Sequence, residues 1–169
     1  MDLRLRPLRL DDEAAFLAGH AAMVAEGFEF GLEYEPGLPW AKYVDRLAAW
    51  RLGVDLPANF VPNTFLVADV NGQIIGRSSI RHEFNEFLAR EGGHIGYGVL
   101  AEHRRRGYAT EILRQSLVIV RSYGVERVLV TCDDDNVGSA AVIERCGGAF
   151  ESLTDNTEGG EPKRRYWVD

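Results

Sequence analysis

Asn71-Gly72 sits between two apolar runs of period two, Thr64 to Val70 and Ile74 to Phe84. Both turn residues accept positive φ, so the dipeptide closes a two-residue hairpin whose twist suits its strands. An antiparallel pair is thereby expected near the middle of the chain. The pattern then changes. Gly93 to Leu100 reads as a third strand. Gly107 to Tyr123 reads as a helix, with Ala109, Ile112, Leu113, Leu117 and Val120 at helical spacing and Gly124 placed to end it. Glu126 to Cys132 holds the run Val128-Leu129-Val130, a buried strand. Asn136 to Cys146 is a further helix, closed by Gly147-Gly148, and Ala149 to Leu153 with Arg164 to Val168 makes a terminal hairpin. A hairpin followed by strand, helix, strand and helix predicts an α+β fold built on a mixed sheet.

The first part of the chain supplies an edge strand and two helices. Asp2 to Leu10 alternates Leu with polar residues around Pro7, which an edge strand tolerates. Asp11-Asp12-Glu13 opens a helix running to about Ala25, and Trp40 to Leu52 is a second amphipathic helix. Glu26 to Pro39 and Pro57 to Asn63 are loops. At 169 residues, with 46% hydrophobic and 27% charged residues, the chain suits one domain spanning residues 1–169. A net charge of -7 opposes general binding to nucleic acid or an anionic membrane. The apolar runs are too short to span a bilayer, and the first residues lack a signal-peptide core. Cys132 and Cys146 make no disulfide framework. These features predict a soluble, cytoplasmic protein.

The chemistry concentrates between Gly93 and Thr110. A strand leads into the turn Arg104-Arg105-Arg106-Gly107, and a helix starts at Tyr108-Ala109-Thr110. A helix N-terminus presents unpaired N–H groups and partial positive charge, so such a turn can cradle phosphate; a solvated basic loop is the other reading. The lone glycine excludes a Walker loop and a dinucleotide fingerprint. Gly96 and Gly98 share one face of the strand, which indicates either a bulge or close approach of a ligand arm to the backbone. Asp133, Asp135, Gly138 and Glu144 have calcium-loop spacing, but Val137 at the fifth position cannot ligate, so no metal is expected.

On these residues the chain resembles the GNAT superfamily of acyl-CoA-dependent N-acetyltransferases. Arg104-Arg105-Arg106-Gly107-Tyr108-Ala109 fits the family signature Q/R-x-x-G-x-G/A. His94-Ile95-Gly96-Tyr97 and Gly107 to Glu111 resemble the branch that includes the ribosomal-protein N-terminal acetyltransferases. Asn136, Ser139 and Gly147-Gly148 match a second landmark, and the element order over residues 2 to 168 matches the fold. The resemblance implies a GNAT-like, mostly antiparallel sheet of six or seven strands flanked by about four helices and splaying beside Val99.

The resemblance also implies acetyl-CoA as cosubstrate. Backbone groups from Arg105 to Thr110 would hold its pyrophosphate, with Arg104 in the same basic turn. The main chain of Tyr97 and Val99 would pair with the pantetheine arm, and the Val99 amide would face the thioester oxygen. Asn136 would bond the pantetheine or a water, or serve as a plain helix N-cap. A base must deprotonate the amine; His94 is the first candidate, with Glu83 and His82 in reserve. The family's usual acidic Tyr is replaced by Ile143, which leaves Ser139 as a substitute proton donor. The acceptor is expected to be a primary amine on a small molecule or a protein N-terminus. Residues 11 to 35 hold seven acids and no Lys or Arg, interleaved with aromatics, which would suit a cationic amine. A homodimer is left open. The rival reading is a non-catalytic acyl-CoA-binding regulatory module, favoured by Ile143.

Overall fold

The computed structural model describes residues 2–169. Seven strands are present: β1 (Leu3–Arg6), β2 (Asn63–Val70), β3 (Gln73–Arg81), β4 (Ile95–Val99), β5 (Val128–Asp133), β6 (Ala149–Thr154) and β7 (Lys163–Val168). Four α-helices accompany them: α1 (Glu13–Val24), α2 (Trp40–Arg51), α3 (Tyr108–Ser122) and α4 (Val137–Arg145). The strands form two antiparallel sheets, β1-β2-β3-β4 and β5-β7-β6, rather than one mixed sheet. No helix among the described residues is long and apolar enough to cross a membrane.

The hairpin forms as its turn dictates. Asn71 and Gly72 take φ of 51° and 83°, and Asp69 accepts the Gly72 N–H at 2.8 Å. The expected edge strand is shorter than its alternating pattern. It stops at Arg6, because Pro7 cannot continue the ladder; Leu8 then turns into the core and Leu10 stays exposed. The acidic run opens a helix as expected: Asp12 is the N-cap residue of α1, and its carboxylate accepts the Arg9 N–H at 2.7 Å and binds Arg6.

Alternation along β2 sends its side chains to two cores. Phe65 and Val67 join Phe16, Phe30, Tyr43 and Trp50 beneath α1 and α2. Leu66 faces the other way, to Ile80, Ile95, Leu113 and Leu117 under α3. Ile143 is wholly buried in this second core.

The two sheets share a core, and among the described residues one backbone hydrogen bond joins them. The His94 N–H donates to the Leu129 carbonyl at 2.8 Å, and the Leu129 N–H donates to His94 Nδ1 at 2.9 Å. Beyond it no ladder links β4 to β5. Tyr97 reaches α4 instead, with its hydroxyl 2.8 Å from the Ser139 hydroxyl. The strands therefore splay and leave an open wedge beside Tyr97 and Val99.

Candidate active site

The register of β3 and β4 decides which backbone groups face the wedge. Val99 pairs with Gly76, and the Leu100 N–H donates to the Ile75 carbonyl at 2.9 Å. That bond makes Val99–Gly76 a non-hydrogen-bonded pair, so the main-chain groups of Val99 turn away from β3. The same alternation turns those of Tyr97 the same way. The Arg104 Nε donates to the Val99 carbonyl at 2.9 Å, which leaves the Val99 N–H facing the wedge.

The far end of the wedge is the N-terminus of α3. Arg105 and Gly107 both take left-handed φ, 62° and 82°, so the chain folds into a concave turn that only glycine enters without strain. Gly107 offers no side-chain cap. The first intrahelical bond runs from the Glu111 N–H to the Gly107 carbonyl, so the N–H groups of Tyr108, Ala109 and Thr110 have no helical acceptor. Those groups and the helix dipole make an anion site.

One cleft of about 810 Å³ joins these two features. It runs from Tyr97, Gly98 and Val99 to Arg105, Gly107, Tyr108, Ala109 and Thr110, and α4 lines its opposite side through Asn136 and Ser139. Asn136 is the N-cap of α4, its Oδ1 accepting the Ser139 N–H at 3.0 Å. Arg104 folds back onto Val99 and pairs with Glu26 at 2.6 Å, tying the end of α1 to the end of β4. Arg106 is exposed and does not line the cleft.

The three candidate bases stand elsewhere. The His94 ring is 4% exposed, lies 3.9 Å from the Phe84 ring and commits Nδ1 to Leu129. Burial, helped by the charge of Arg81, brings its pKa down to about 4. His82 stacks on Tyr123 and bonds Thr64. Glu83 is exposed, and none of the three lines the cleft. The shared face of Gly96 and Gly98 is also occupied from within. A Cβ at Gly98 would meet the Phe28 ring at 2.8 Å, and one at Gly96 would meet Arg81 at 3.2 Å.

The Tyr97 side chain is the feature that sequence reasoning missed. Tyr97 shares the inward face of β4 with Ile95 and Val99, and alternation was its only signal. Burial raises the phenol pKa, which keeps it protonated. Cys132 is 8% exposed, and burial lifts its thiol to about 11. In the acidic loop Phe30 and Tyr34 pack into the core, while Glu26 and Glu35 pair with Arg104 and Arg46.

Comparison with known proteins places residues 2–149 in a family model described as an acetyltransferase (GNAT) domain. Solved structures share the fold. An acetyltransferase from Agrobacterium tumefaciens is 25% identical with a TM-score of 0.64, over 97% of this chain and 90% of that one. RimJ of Mycobacterium smegmatis, in complex with CoA-disulfide, is 20% identical with a TM-score of 0.71, over 98% and 81%. YncA of Salmonella typhimurium, a putative acetyltransferase with acetyl-CoA, is 12% identical with a TM-score of 0.64, over 99% and 92%. No curated protein matches the sequence.

Proposed function

Because the chain belongs to the GNAT acetyltransferase family, we propose that it binds acetyl-CoA in the 810 Å³ cleft and transfers the acetyl group directly to a primary amine. One observation carries this reading. A free Val99 N–H and the unpaired N-terminus of α3 open into one cavity. The helix end is fitted to hold the pyrophosphate. The Val99 N–H is fitted to stabilise an oxyanion on the thioester carbonyl.

The chemistry follows from the groups at hand. The neutral amine attacks the acyl carbon and negative charge gathers on the carbonyl oxygen beside Val99. The C–S bond then breaks. The thiolate takes a proton from the Tyr97–Ser139 hydroxyl pair, and the proton that the new amide nitrogen releases returns to that pair through solvent. Holding both reactants in one cleft supplies much of the rate. With His94, His82 and Glu83 away from the cleft, the amine loses its first proton to solvent. His94 acts as the pin that joins the sheets at the apex of the wedge. Asn136 orients α4 so that Ser139 meets Tyr97.

Calorimetric titration with acetyl-CoA, followed by CoA release over a panel of amines, tests the proposal. Binding and turnover of one amine class support it. Binding without turnover of any amine or peptide would favour the non-catalytic module. Absence of binding would show that the glycine turn is no cradle.

A further inference from the structure

Two arginines lie together beside the cleft with no acid to neutralise them. Arg77 and Arg81 occupy one face of β3, four residues apart, and both are partly buried. A Cβ at Gly96 would meet Arg81 Nη1 at 3.2 Å and Arg77 Nη1 at 3.5 Å, so both guanidiniums stand over the same point of β4. Among the described residues, no carboxylate comes within 4.0 Å of either. The protein acceptors they do have are neutral. Arg77 donates to the carbonyls of Gly96 at 3.1 Å and Glu29 at 2.8 Å. Arg81 donates only to the Gly92 carbonyl, at 3.4 Å. The Arg77 Nε is buried without a partner.

Neighbouring acids are turned elsewhere. Glu91 gives its carboxylate to the Thr157 N–H and hydroxyl and to Arg90. Glu29 offers Arg77 only its main-chain oxygen and leaves its carboxylate exposed. Two like charges drawn out of water and placed side by side are costly, and carbonyl dipoles offset only part of that cost. Burial together with this mutual repulsion lowers the Arg77 pKa to about 9. A paired guanidinium site of this kind is matched by a carboxylate, which accepts parallel N–H bonds.

Neither arginine lines the cleft, but the pair lies behind a residue that does. Phe28 is the shared wall: it lines the cleft, lies over Gly98, and stacks against the Arg77 guanidinium at 4.6 Å. Gly96 precedes Gly98 by two residues, roughly 7 Å along a strand. The geometry points to Arg77 and Arg81 as a carboxylate-binding subsite, so that the acceptor is an amine that also bears a carboxylate, such as an amino acid. This rests on the acetyltransferase reading above. It also gives Glu29 and Glu33, the exposed acids of the 26–35 loop not paired with arginine, a part: the acceptor's ammonium approaches past them while its carboxylate seats on the arginines.

The test compares the standard amino acids with their carboxamides, with rates referred to the neutral amine because amidation also lowers the amine pKa. With acetyl-CoA and wild-type protein, at least one acid is expected to exceed its carboxamide in kcat/KM by about 100-fold. Arg77→Met and Arg81→Met should each raise KM for that acid, leave the carboxamide rate unchanged and leave acetyl-CoA affinity unchanged. Arg81→Lys should recover part of the loss. Equal use of acids and carboxamides overturns the proposal, as does an unchanged KM in the variants. A thermal-shift titration of the free protein with the same compounds reads the pair without acetyl-CoA. Stabilisation by acids alone, lost in Arg81→Met, supports the subsite even if acetyl-CoA fails to bind and the acetyltransferase reading falls. If no acid stabilises the protein and none is turned over, the subsite does not exist.

Discussion

The Tyr97 hydroxyl on β4 stands 2.8 Å from the Ser139 hydroxyl on α4, across the wedge where the two sheets part. Both residues line the cleft, and under the proposed function they give the leaving thiolate its proton, in a protein whose position 143 is a core isoleucine. Tyr97→Phe and Ser139→Ala are each expected to lower kcat about 10–100-fold. Acetyl-CoA affinity by calorimetry should change little. Because burial raises the Tyr97 pKa, the donor stays protonated and the defect should be the same at every pH from neutral to mildly alkaline. The double variant should be no worse than the poorer single one, since the hydroxyls act as a unit.

Gly107→Glu should abolish acetyl-CoA binding. The position holds φ of 82° at the mouth of α3, and the substitution adds both backbone strain and negative charge where N–H groups converge. Calorimetry would read a loss of at least about 100-fold in affinity. Retained affinity would remove the turn from the site.

Gly98→Ala tests the packing beneath the cleft. Its Cβ would lie 2.8 Å from the Phe28 ring and 3.1 Å from Met23. The expected cost is about 1–3 kcal/mol of stability by urea denaturation. Combining it with Phe28→Leu should return much of that loss, because the clash disappears. Simple additivity in the double variant would mean that the ring does not limit this position.

His94 makes stability depend on pH in a defined window. Its imidazole titrates at about 4 in the folded protein because burial, then Arg81, disfavours the cation. The unfolded value is about 6.5. Between these values the unfolded chain binds a proton that the folded chain does not. Stability therefore falls as pH drops through that range, by up to about 3 kcal/mol, and is fully present above it. His94→Phe should flatten this slope in urea titrations. It should also cost about 1–3 kcal/mol near neutrality by leaving the Leu129 N–H without its acceptor. The pH–rate profile should keep its shape, and a lost inflection near neutrality would restore His94 as a base.

Arg6, at the end of β1, joins Asp12 ahead of α1 to Asp69 on β2. It reaches Asp12 at 2.7 Å and Asp69 at 2.8 Å, with side chains 13%, 10% and 16% exposed. Burial alone would raise both carboxyl pKa values, but Arg6 more than offsets it and holds both low. Their contribution to stability is present above the ordinary Asp value and is lost as pH falls through the folded values. Arg6→Met should cost about 3–5 kcal/mol near neutrality. The deficit should shrink toward pH 4, where the abandoned acids protonate; a constant deficit would mean that lost packing dominates.

The sequence by itself determined whatever is encoded over a few residues. The Asn71-Gly72 hairpin, the glycine turn before α3 and the N-cap at Asn136 each follow from local backbone preference. All of them appear where the sequence puts them. The strand–helix order follows from apolar periods of two and 3.6, which are equally local. Tertiary structure decided what meets across the wedge. His94 became a pin because Leu129, 35 residues on, takes its ring nitrogen. Tyr97 became a cleft residue because Ser139 lies 42 residues away in sequence and within hydrogen-bond distance in space. Gly96 and Gly98 are small because Arg77, Arg81 and Phe28 cover them, and those residues come from β3 and the α1–α2 loop. Periodicity specifies the face a side chain takes, but its partner there depends on how the sheets and helices dock, and one sequence carries no local trace of that docking.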